Sequence, residues 1–513
     1  MTTSTNAPAT SDRAIHETNA GPSADGDRSG NARSPQGGSG HWASHRLRER
    51  LRPRDATRPD DFEELANRMS HQILLPGEEG YDAARAPWAV NADLRPAAVA
   101  QPRDAAQVQL IVRAAAGLGL RIAPQGTGHH AHAMPRSLDD VVLLRTNMMN
   151  RVSIDPDRRI ARAESGAVWL DVVEPAGRHG LAALHGSSPD VGVAGYSLGG
   201  GIGWYARKLG MATNSLTAVE LVTASGELVR ADAEHEPELF WALRGGGGNF
   251  GVVTALEFAL FPITTAYAGM MVWDCRHAER VLRRYAEWAP EAADEVTTSL
   301  RLLQVPPIPE MPEFVRGRQV VAIDGAVLAD DETAERILAP LRELGPEIDF
   351  FGRKPAPELV RLHMDPEGPT PTISESAMLG WLAPSGVDAL LGVAGPDSGS
   401  SLLVAAELRQ LGGALGRAHP GAGALPRLEG SFALLALGMP NPMADEERTR
   451  ADARRVVTAM APYANGRSYL NFVEKHGNAG TGYDPRTWDR LRAVRRQYDP
   501  AGLFVANHQI PLS

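Results

Sequence analysis

Residues 185–203, HGSSPDVGVAGYSLGGGIG, constrain the fold more than any other stretch, because seven of these nineteen positions are glycine. Glycine weakens the interiors of helices and strands, since it has no side chain to pack and loses much backbone entropy on folding. The segment therefore predicts a loop rather than a helix or strand, and a loop whose backbone can approach a ligand closely.

Two further glycine clusters flank this segment. Gly126 and Gly128 lie in residues 121–132, RIAPQGTGHHAH, and residues 245–248 are four consecutive glycines before an apolar run. We interpret 121–132 as a strand followed by a loop that aims His129 at a ligand. This loop is the first candidate for the chemistry of the protein.

Patterns typical of strands and helices alternate around the glycine clusters. Asp104 is a predicted N-cap, followed by a helix that ends at the glycines 117 and 119. The other predicted elements are strands at 121–124, 141–144, 160–163, 216–223, 227–231 and 252–260, and helices at 168–177 and 238–243. Such alternation predicts an α+β or α/β fold.

The character of the chain changes near Pro262, where glycine clusters give way to amphipathic helices at 277–288 and 332–344 and a strand at 319–328. A last helix is predicted from Asp484 at its N-cap and Pro485 at its first position. Its buried side is predicted to carry Trp488, Leu491 and Val494. We predict a disordered tail at 1–55, a first domain at 56–263, a second domain at 264–464 and a return to the first domain at 465–513.

The composition excludes several classes of function. A formal net charge of −10 argues against a nucleic-acid partner. The single cysteine, Cys275, excludes an intrachain disulfide and a cysteine-rich metal site. No apolar run is long enough for a membrane span, and the first residues do not resemble a secretory signal, so a cytoplasmic location is expected. The oligomeric state is left open.

Two glycine patterns match dinucleotide-binding fingerprints. Gly126, Gly128 and Ala131 fit GxGxxA, and Gly246, Gly248 and Gly251 fit GxGxxG. A Rossmann fingerprint opens a helix, whereas Pro135 blocks a helix after the first match and an apolar strand pattern follows the second. A Rossmann NAD site is therefore not expected.

Two more hypotheses stay open on the residues alone. Gly195, Ser197 and Gly199 form a GxSxG that could be the nucleophile elbow of an α/β-hydrolase-like serine esterase, with His508 as a partner. The strand that should precede such a serine is brief and broken by glycine. His129, His130 and His132 could bind a metal, but no nearby carboxylate or cysteine completes a site.

Four motifs occur in the order and spacing of a known family. They are PQGTGH at 124–129, SPDVGVAGYSLGGG at 188–201, RGGGGNFG at 244–251, and YLNF at 469–472 followed by Asp499, Pro500 and Asn507. From about residue 60 onward the chain resembles the berberine-bridge-enzyme-like FAD-linked oxidases. The resemblance implies an α+β, two-domain fold: an FAD-binding domain of the vanillyl-alcohol-oxidase or PCMH type, and an inserted antiparallel-sheet substrate domain backed by helices.

The resemblance also implies how FAD is held. His129 is the expected 8α-histidyl attachment point, and Gln125, Gly126, Thr127 and Gly128 would surround the diphosphate, largely through backbone N–H groups. The other cofactor-binding residues that it implies are Ser188, Asp190, Val191, Gly195, Gly199, Gly200, Gly201, Gly203, Gly251, Val253 and Asn507.

Ser188 departs from the family pattern. Many relatives carry a second covalent link through a cysteine at this position, so we expect a single link here. Val191 stands where oxidases of the family carry a small residue that lets O2 reach the flavin, which favours an oxidase over a dehydrogenase. A packing role in the core is the alternative for this valine.

Tyr469 matches the family's catalytic tyrosine, and Asn471 is expected to orient it or the flavin. A phenol with a pKa of about 10 is ionised at pH 7 only at a cost of about 4 kcal/mol, so a nearby positive charge or hydrogen bond would be needed. The implied activity is oxidation of a hydroxyl- or amine-bearing small molecule, such as a sugar, an alcohol or a secondary metabolite, with O2 reduced to H2O2. No substrate motif is evident, and Trp381 and His363 are expected at the surface or in the core rather than in the site.

Overall fold

The computed structural model describes residues 72–309, 311–441 and 444–513. The disordered tail predicted for residues 1–55 lies outside this part of the chain. Within the described ranges, no helix combines the length and the apolar character that a membrane crossing requires.

The first sheet has four strands in the order β1-β2-β4-β3. Their bounds are Ile73–Leu74 (β1), Pro96–Ala100 (β2), Arg121–Gln125 (β3) and Leu138–Arg145 (β4). β2 and β3 pair parallel with β4, whereas β1 pairs antiparallel with β2. The helix Ala105–Gly117 packs on this sheet, and its predicted N-cap is confirmed because the Asp104 side chain accepts a hydrogen bond from the N–H of Gln107.

The second sheet is antiparallel and has five strands in the order β5-β6-β9-β7-β8. Their bounds are Val152–Asp155 (β5), Ile160–Glu164 (β6), Leu216–Val222 (β7), Leu228–Asp232 (β8) and Val252–Ala259 (β9). The helices Trp169–Gly177 and Pro237–Leu243 pack on it around Phe250 and Phe258. Apart from β5, which no sequence pattern predicts, these elements lie within two residues of their predicted bounds.

The third sheet has eight antiparallel strands, in the order β13-β10-β12-β11-β16-β17-β15 with β14 also paired to β10. Their bounds are Thr265–Asp274 (β10), Val296–Gln304 (β11), Gln319–Val327 (β12), Ile348–Asp349 (β13), Gly352–Pro355 (β14), Ile373–Leu379 (β15), Val404–Gln410 (β16) and Phe432–Gly438 (β17). The helices that pack on one face are Ala278–Glu291, Asp331–Arg342, Pro384–Ala394 and Glu446–Met460. The expected antiparallel sheet backed by helices is therefore confirmed.

Side chains alternate across this third sheet, as strand geometry requires. Leu300, Ile323 and Leu408 belong to the apolar core under the helices. Their neighbours Arg301 and Asp324 are buried polar residues instead. The opposite face of the sheet thus carries buried polar side chains among apolar ones, and part of it lines the cavity described below.

The C-terminal segment packs against the first part of the chain. The helix Pro485–Tyr498 begins as predicted, because the Asp484 side chain accepts hydrogen bonds from the N–H groups of Arg486 and Thr487. Further along, the N–H of Val505 donates to the carbonyl of Ile122 in β3 over 2.8 Å. The discontinuous first domain agrees with these contacts, while the boundaries at 263/264 and 464/465 stay predictions.

The expectation of a loop throughout 185–203 is wrong at one point. Val193–Leu198 forms a six-residue helix that contains Gly195. The glycine-rich positions flank this helix, and Val193, Ala194 and Leu198 are buried in the core of the second sheet. Burial of these apolar side chains outweighs the low helix propensity of one internal glycine.

Candidate active site

A cavity of about 460 Å³ separates the glycine-rich loops of the first two sheets from the third sheet, on the face opposite its helices. Both residues predicted to be catalytic, Tyr469 and Asn471, line it. The predicted cofactor-binding residues that line it are Gln125, Gly126, Thr127, Gly128, His129, Ser188, Val191, Gly195, Gly199, Gly251, Val253 and Asn507. Segments far apart in sequence thus meet at one cavity.

The loop after β3 has a backbone that is free to bind an anion. Gly128 has φ 85°, and a Cβ built there would lie 2.6 Å from the Cβ of Pro87, so both conformation and space require glycine. Within the described ranges, the backbone N–H groups of Thr127, Gly128 and His129 donate to no protein atom. Three adjacent free donors suit a diphosphate in a protein of net negative charge.

His129 is held between an indole and a carboxylate. Its ring stacks on Trp88 with centroids 4.0 Å apart and planes 16° apart. Thr127 Oγ1 lies 2.8 Å from Nδ1, and Asp190 Oδ1 lies 3.5 Å from Nε2. No periodicity or motif marks Trp88 in the sequence, so its role here was missed.

Asp190, Gly200, Gly201 and Gly203 lie behind the cavity wall. Asp190 contacts His129, and the backbone N–H of Gly201 donates to Tyr469 Oη. Gly200 packs on the ring of Tyr469, and Gly203 packs on the carbonyl of His185. These residues position cavity-lining groups rather than face the cavity themselves.

Gly199 is required by the close approach of Asn471. A Cβ at position 199 would lie 1.9 Å from Asn471 Oδ1. The Asn471 side chain donates through Nδ2 to the carbonyl of Tyr196 over 3.0 Å and to Tyr469 Oη over 3.2 Å. The glycine-rich segment therefore fixes the amide beside Tyr469.

The third glycine cluster also lines the cavity without being a Rossmann turn. Residues 245–249 form part of the wall, and the strand Val252–Ala259 follows them directly. After the first fingerprint match, only a three-residue 3-10 turn, Ala131–Ala133, is present. The structure thus confirms that neither match opens a helix.

Tyr469 is buried beside the third sheet, with its phenol oxygen accepting the two hydrogen bonds from Gly201 and Asn471. Burial raises the pKa of Tyr469 to about 12, although both hydrogen bonds and the nearby Arg409 lower it. The hydrogen bonds and the positive charge that a catalytic Tyr469 would need are present, but in the free protein the effect of desolvation on its pKa outweighs theirs.

A network of buried charges forms the far wall. His363 Nδ1 lies 2.7 Å from Asp324 Oδ2, and Arg301 Nη2 donates to the same oxygen over 2.6 Å. Glu407 accepts from Arg409 Nε over 2.7 Å. Burial and Arg301 lower the pKa of His363, but Asp324 and two other nearby carboxylates outweigh them and raise it to about 9.

The expectation that His363 lies away from the site is wrong, because it lines the cavity with Glu407 and Arg409. Its partner Asp324 lies on a different strand, which no local pattern reveals. Trp381, by contrast, is 67% exposed, as expected.

Glu474 is a second cavity-lining residue that the sequence did not indicate. Burial raises the pKa of its carboxyl to about 7, and within the described part of the chain its Oε2 has no hydrogen-bond partner. Glu474 lies two residues after the YLNF motif at 469–472, and this proximity is the one feature of the sequence that could have indicated it.

The arrangement does not support the hydrolase. Ser197 is buried inside the helix Val193–Leu198 rather than exposed at a strand-to-helix turn. His508 Nε2 lies 2.9 Å from the carbonyl of Leu470, and burial lowers the pKa of His508 to about 4. The two side chains do not form a nucleophile and base pair.

The histidine run does not form a metal site either. Among the described residues, no group of three potential metal ligands was found. His130 is buried, which lowers its pKa to about 3, and His132 Nε2 lies 3.1 Å from Asn91 Oδ1. The structural roles expected for these two histidines agree with this geometry.

Comparison with known proteins adds to this geometry. Residues 96–232 match the family described as FAD binding domain. (R)-6-Hydroxynicotine oxidase from Paenarthrobacter nicotinovorans is 28% identical over 474 residues, covering 87% of this chain and 98% of that protein.

Two solved structures share the fold. 6-Hydroxy-D-nicotine oxidase from Arthrobacter nicotinovorans has a TM-score of 0.72 at 27% identity, covering 84% of this chain and 96% of that chain. Wild-type BBE-like 1 from Physcomitrella patens has a TM-score of 0.73 at 20% identity, covering 86% and 97% of the two chains.

Proposed function

Because the chain is an FAD-linked oxidoreductase with the PCMH-type fold of the berberine-bridge-enzyme-like oxidases, we propose that it oxidises a hydroxyl- or amine-bearing small molecule and passes the electrons to O2, giving H2O2. One observation carries this proposal: the loop at 125–129 and the Tyr469 motif line the same cavity. A cytoplasmic location and a role in secondary metabolism stay predictions.

The residues of the cavity suit FAD. We assign the free N–H groups of Thr127, Gly128 and His129 to the diphosphate. Gln125 Oε1 and Ser165 Oγ are buried beside them, without a hydrogen-bond partner in the described ranges. Unpartnered buried polar atoms are destabilising unless a ligand satisfies them.

We assign the covalent link to His129 alone. Its ring lies at the cavity wall, where Trp88 stacks on it and the Thr127 hydroxyl lies 2.8 Å from Nδ1. Ser188, where relatives carry a cysteine, has no thiol to form a second link, and its hydroxyl donates to Asp190 Oδ1 over 2.8 Å.

When bound, FAD would supply the acceptor for a hydride equivalent from the substrate carbon. Tyr469 takes the proton that the substrate hydroxyl or amine loses. The Gly201 N–H and the Asn471 amide both point at its phenol oxygen, so they stabilise the phenolate that proton transfer requires.

The far wall supports a substrate of mixed polarity. Val404, Leu435, Leu437 and Met439 form its apolar part. The polar part is the buried network that includes Glu407 and Arg409. The apolar part of such a wall would pack against a ring or chain of the substrate, and the charged part would orient the polar groups of the substrate. By its name, the relative (R)-6-hydroxynicotine oxidase acts on a hydroxyl-bearing small molecule, which supports this class of substrate.

Val191 lines the cavity and is the residue we assign to O2 access. The name of the relative (R)-6-hydroxynicotine oxidase supports O2 as the electron acceptor, rather than the separate electron acceptor that a dehydrogenase would use. Rapid reoxidation of the reduced flavin by dissolved O2 is expected, and slow reoxidation would favour a dehydrogenase.

Purified protein should be yellow, and the colour should stay with acid-precipitated protein. An H2O2-release screen over sugars, phenolics, alkaloids and polyketides should identify donors. FAD that no donor reduces would favour a binding role without turnover. Colourless protein labelled at Ser197 by a fluorophosphonate would support the hydrolase instead.

A further inference from the structure

We propose that Asp190 is a positioning residue for flavin attachment, which orients the imidazole of His129 and stabilises its positive charge while the covalent bond forms. This inference rests on the proposed attachment of FAD to His129. It assigns a role to contacts of His129 and Asp190 that the oxidation itself does not use.

The first contacts fix the plane of the His129 ring. Trp88 covers one face of the imidazole with its rings nearly parallel. The two ring nitrogens face different groups, Nδ1 toward the Thr127 hydroxyl and Nε2 toward Asp190. A rotation of the ring would therefore break contacts at both nitrogens.

The second contacts fix the carboxylate. Asp190 Oδ2 accepts from Trp88 Nε1 over 2.7 Å and from the Gly368 N–H over 2.8 Å. Oδ1 accepts from the Ser188 hydroxyl over 2.8 Å. Although burial opposes it, the hydrogen bonds to Asp190 keep the pKa of this carboxyl well below its usual range, so Asp190 is an anion at neutral pH.

An anion facing Nε2 selects the neutral tautomer with the proton on Nε2, as a carboxylate does for other imidazoles. The lone pair is then on Nδ1, where the Thr127 hydroxyl donates to it in the flavin-free ring. When Nδ1 forms the bond, the ring becomes a cation that keeps its proton on Nε2, facing Asp190. The geometry thus assigns the bond to Nδ1.

Formation of the covalent bond is a two-electron oxidation of the flavin 8-methyl group. The final electron acceptor is O2, which is also the acceptor proposed for turnover. A C–N bond replaces one C–H bond of the flavin 8-methyl group. The proton leaves to solvent, and the two electrons of the C–H bond reduce the flavin ring. O2 then takes these electrons and becomes H2O2.

The test compares Asp190→Asn with Asp452→Asn, a matched loss of one negative charge. Asp452 is also a carboxylate held by hydrogen bonds, since it accepts from the Ser401 N–H over 3.0 Å, but it lies in the helix Glu446–Met460 and does not line the cavity. FAD-free protein is mixed with FAD in air, and samples are acid-precipitated over time. Total bound flavin is measured by absorbance, and the covalent fraction by the flavin that stays with the precipitate.

Asp190→Asn is expected to bind FAD but to form the covalent bond at least about tenfold more slowly than wild type, as loss of a charge that orients an imidazole predicts. Asp452→Asn should keep the wild-type rate. A wild-type rate in Asp190→Asn would overturn the proposal. Should that variant not fold, Trp88→Phe keeps the stacking and removes only the donor to Asp190, and an unchanged rate there would overturn it equally.

Failure of the proposed function gives a different result. Wild-type protein whose flavin is released by acid contradicts the attachment itself. A covalent wild type with an unaffected Asp190→Asn contradicts only the role of Asp190. In the covalent protein, NMR of the flavin peptide should show the bond at Nδ1, and a bond at Nε2 would exclude the tautomer that Asp190 selects.

Discussion

The phenol oxygen of Tyr469 accepts a 2.9 Å hydrogen bond from the backbone N–H of Gly201, a residue 268 positions earlier in the chain. The donor belongs to the glycine-rich segment and the acceptor to the C-terminal motif. Two of the four motifs that carry the family resemblance are therefore joined at one oxygen atom. This relationship makes Tyr469 the first residue to test.

Tyr469→Phe removes the phenol and should lower kcat about 10²–10⁴-fold, the usual contribution of a general base, while FAD stays bound. Anaerobic flavin reduction by a substrate from the donor screen measures the step directly. Tyr285→Phe is the matched control, because its buried hydroxyl lies beside Thr298 in the core of the third sheet. Reduction at the wild-type rate in Tyr469→Phe would exclude it as the base.

The rate should rise with pH. The pKa of Tyr469 is raised to about 12, so in neutral solution the reactive phenolate grows about tenfold for each pH unit. Asn471→Ala removes a donor that lowers this pKa, so its profile should shift to higher pH. Anaerobic flavin reduction measured from about pH 6 to about pH 10 tests this, and a flat wild-type profile would contradict it.

Two glycines in the same segment should respond differently to alanine. Gly199→Ala places a methyl group against Asn471, and the displaced amide should lower kcat about 100-fold. At Gly195 a Cβ meets no described atom within 4 Å, and the residue lines the cavity. Gly195→Ala should fold normally and lose FAD affinity instead. FAD content and kcat of both variants separate the two effects.

Asp324 should be a large contributor to stability. Asp324→Asn leaves Arg301 and His363 buried beside a neutral amide, which should cost about 3–5 kcal/mol. Asp93→Asn, which breaks exposed pairs with Arg85 and Arg95, should cost at most about 1 kcal/mol. Urea unfolding measures the free energy of unfolding of both variants. A similar loss of free energy in the two would mean that the buried network contributes no more than an exposed ion pair.

The stability of the wild type should depend on pH through His363. Its pKa is raised from 6.5 to about 9 in the folded protein, so folding favours the protonated ring. This stabilisation is fully present below the unfolded pKa of 6.5 and is lost as the pH rises through about 9. His363→Gln should remove that part of the decline, and an unchanged profile would show that His363 is not its source.

Local chemistry in the sequence was enough to predict several elements. The caps at Asp104 and Asp484 are confirmed because a capping side chain bonds to backbone only a few residues away. The spacing of apolar residues along the chain likewise predicted most strands of the second sheet. These features are encoded within one element, so no knowledge of the fold is needed to find them.

The missed site residues are defined by long-range contacts. Trp88 meets Asp190 across 102 positions, and His363 meets Asp324 across 39. Nothing near Trp88 or His363 in sequence distinguishes it from an ordinary surface or core residue. Trp88 and His363 each take their role from a partner that is distant in sequence. That partner comes close only when distant strands and loops meet in the folded chain.

The contact between the C-terminal segment and β3 has a consequence for the order of events during synthesis. The ribosome makes the glycine loops first, whereas Tyr469, Val505 and Asn507 emerge only after all strands of the third sheet. β3 acquires its contact with Val505 only then, and the cavity wall is incomplete until that moment. Chains cut short before Tyr469 would therefore carry the loop at 125–129 without the C-terminal part of the cavity wall.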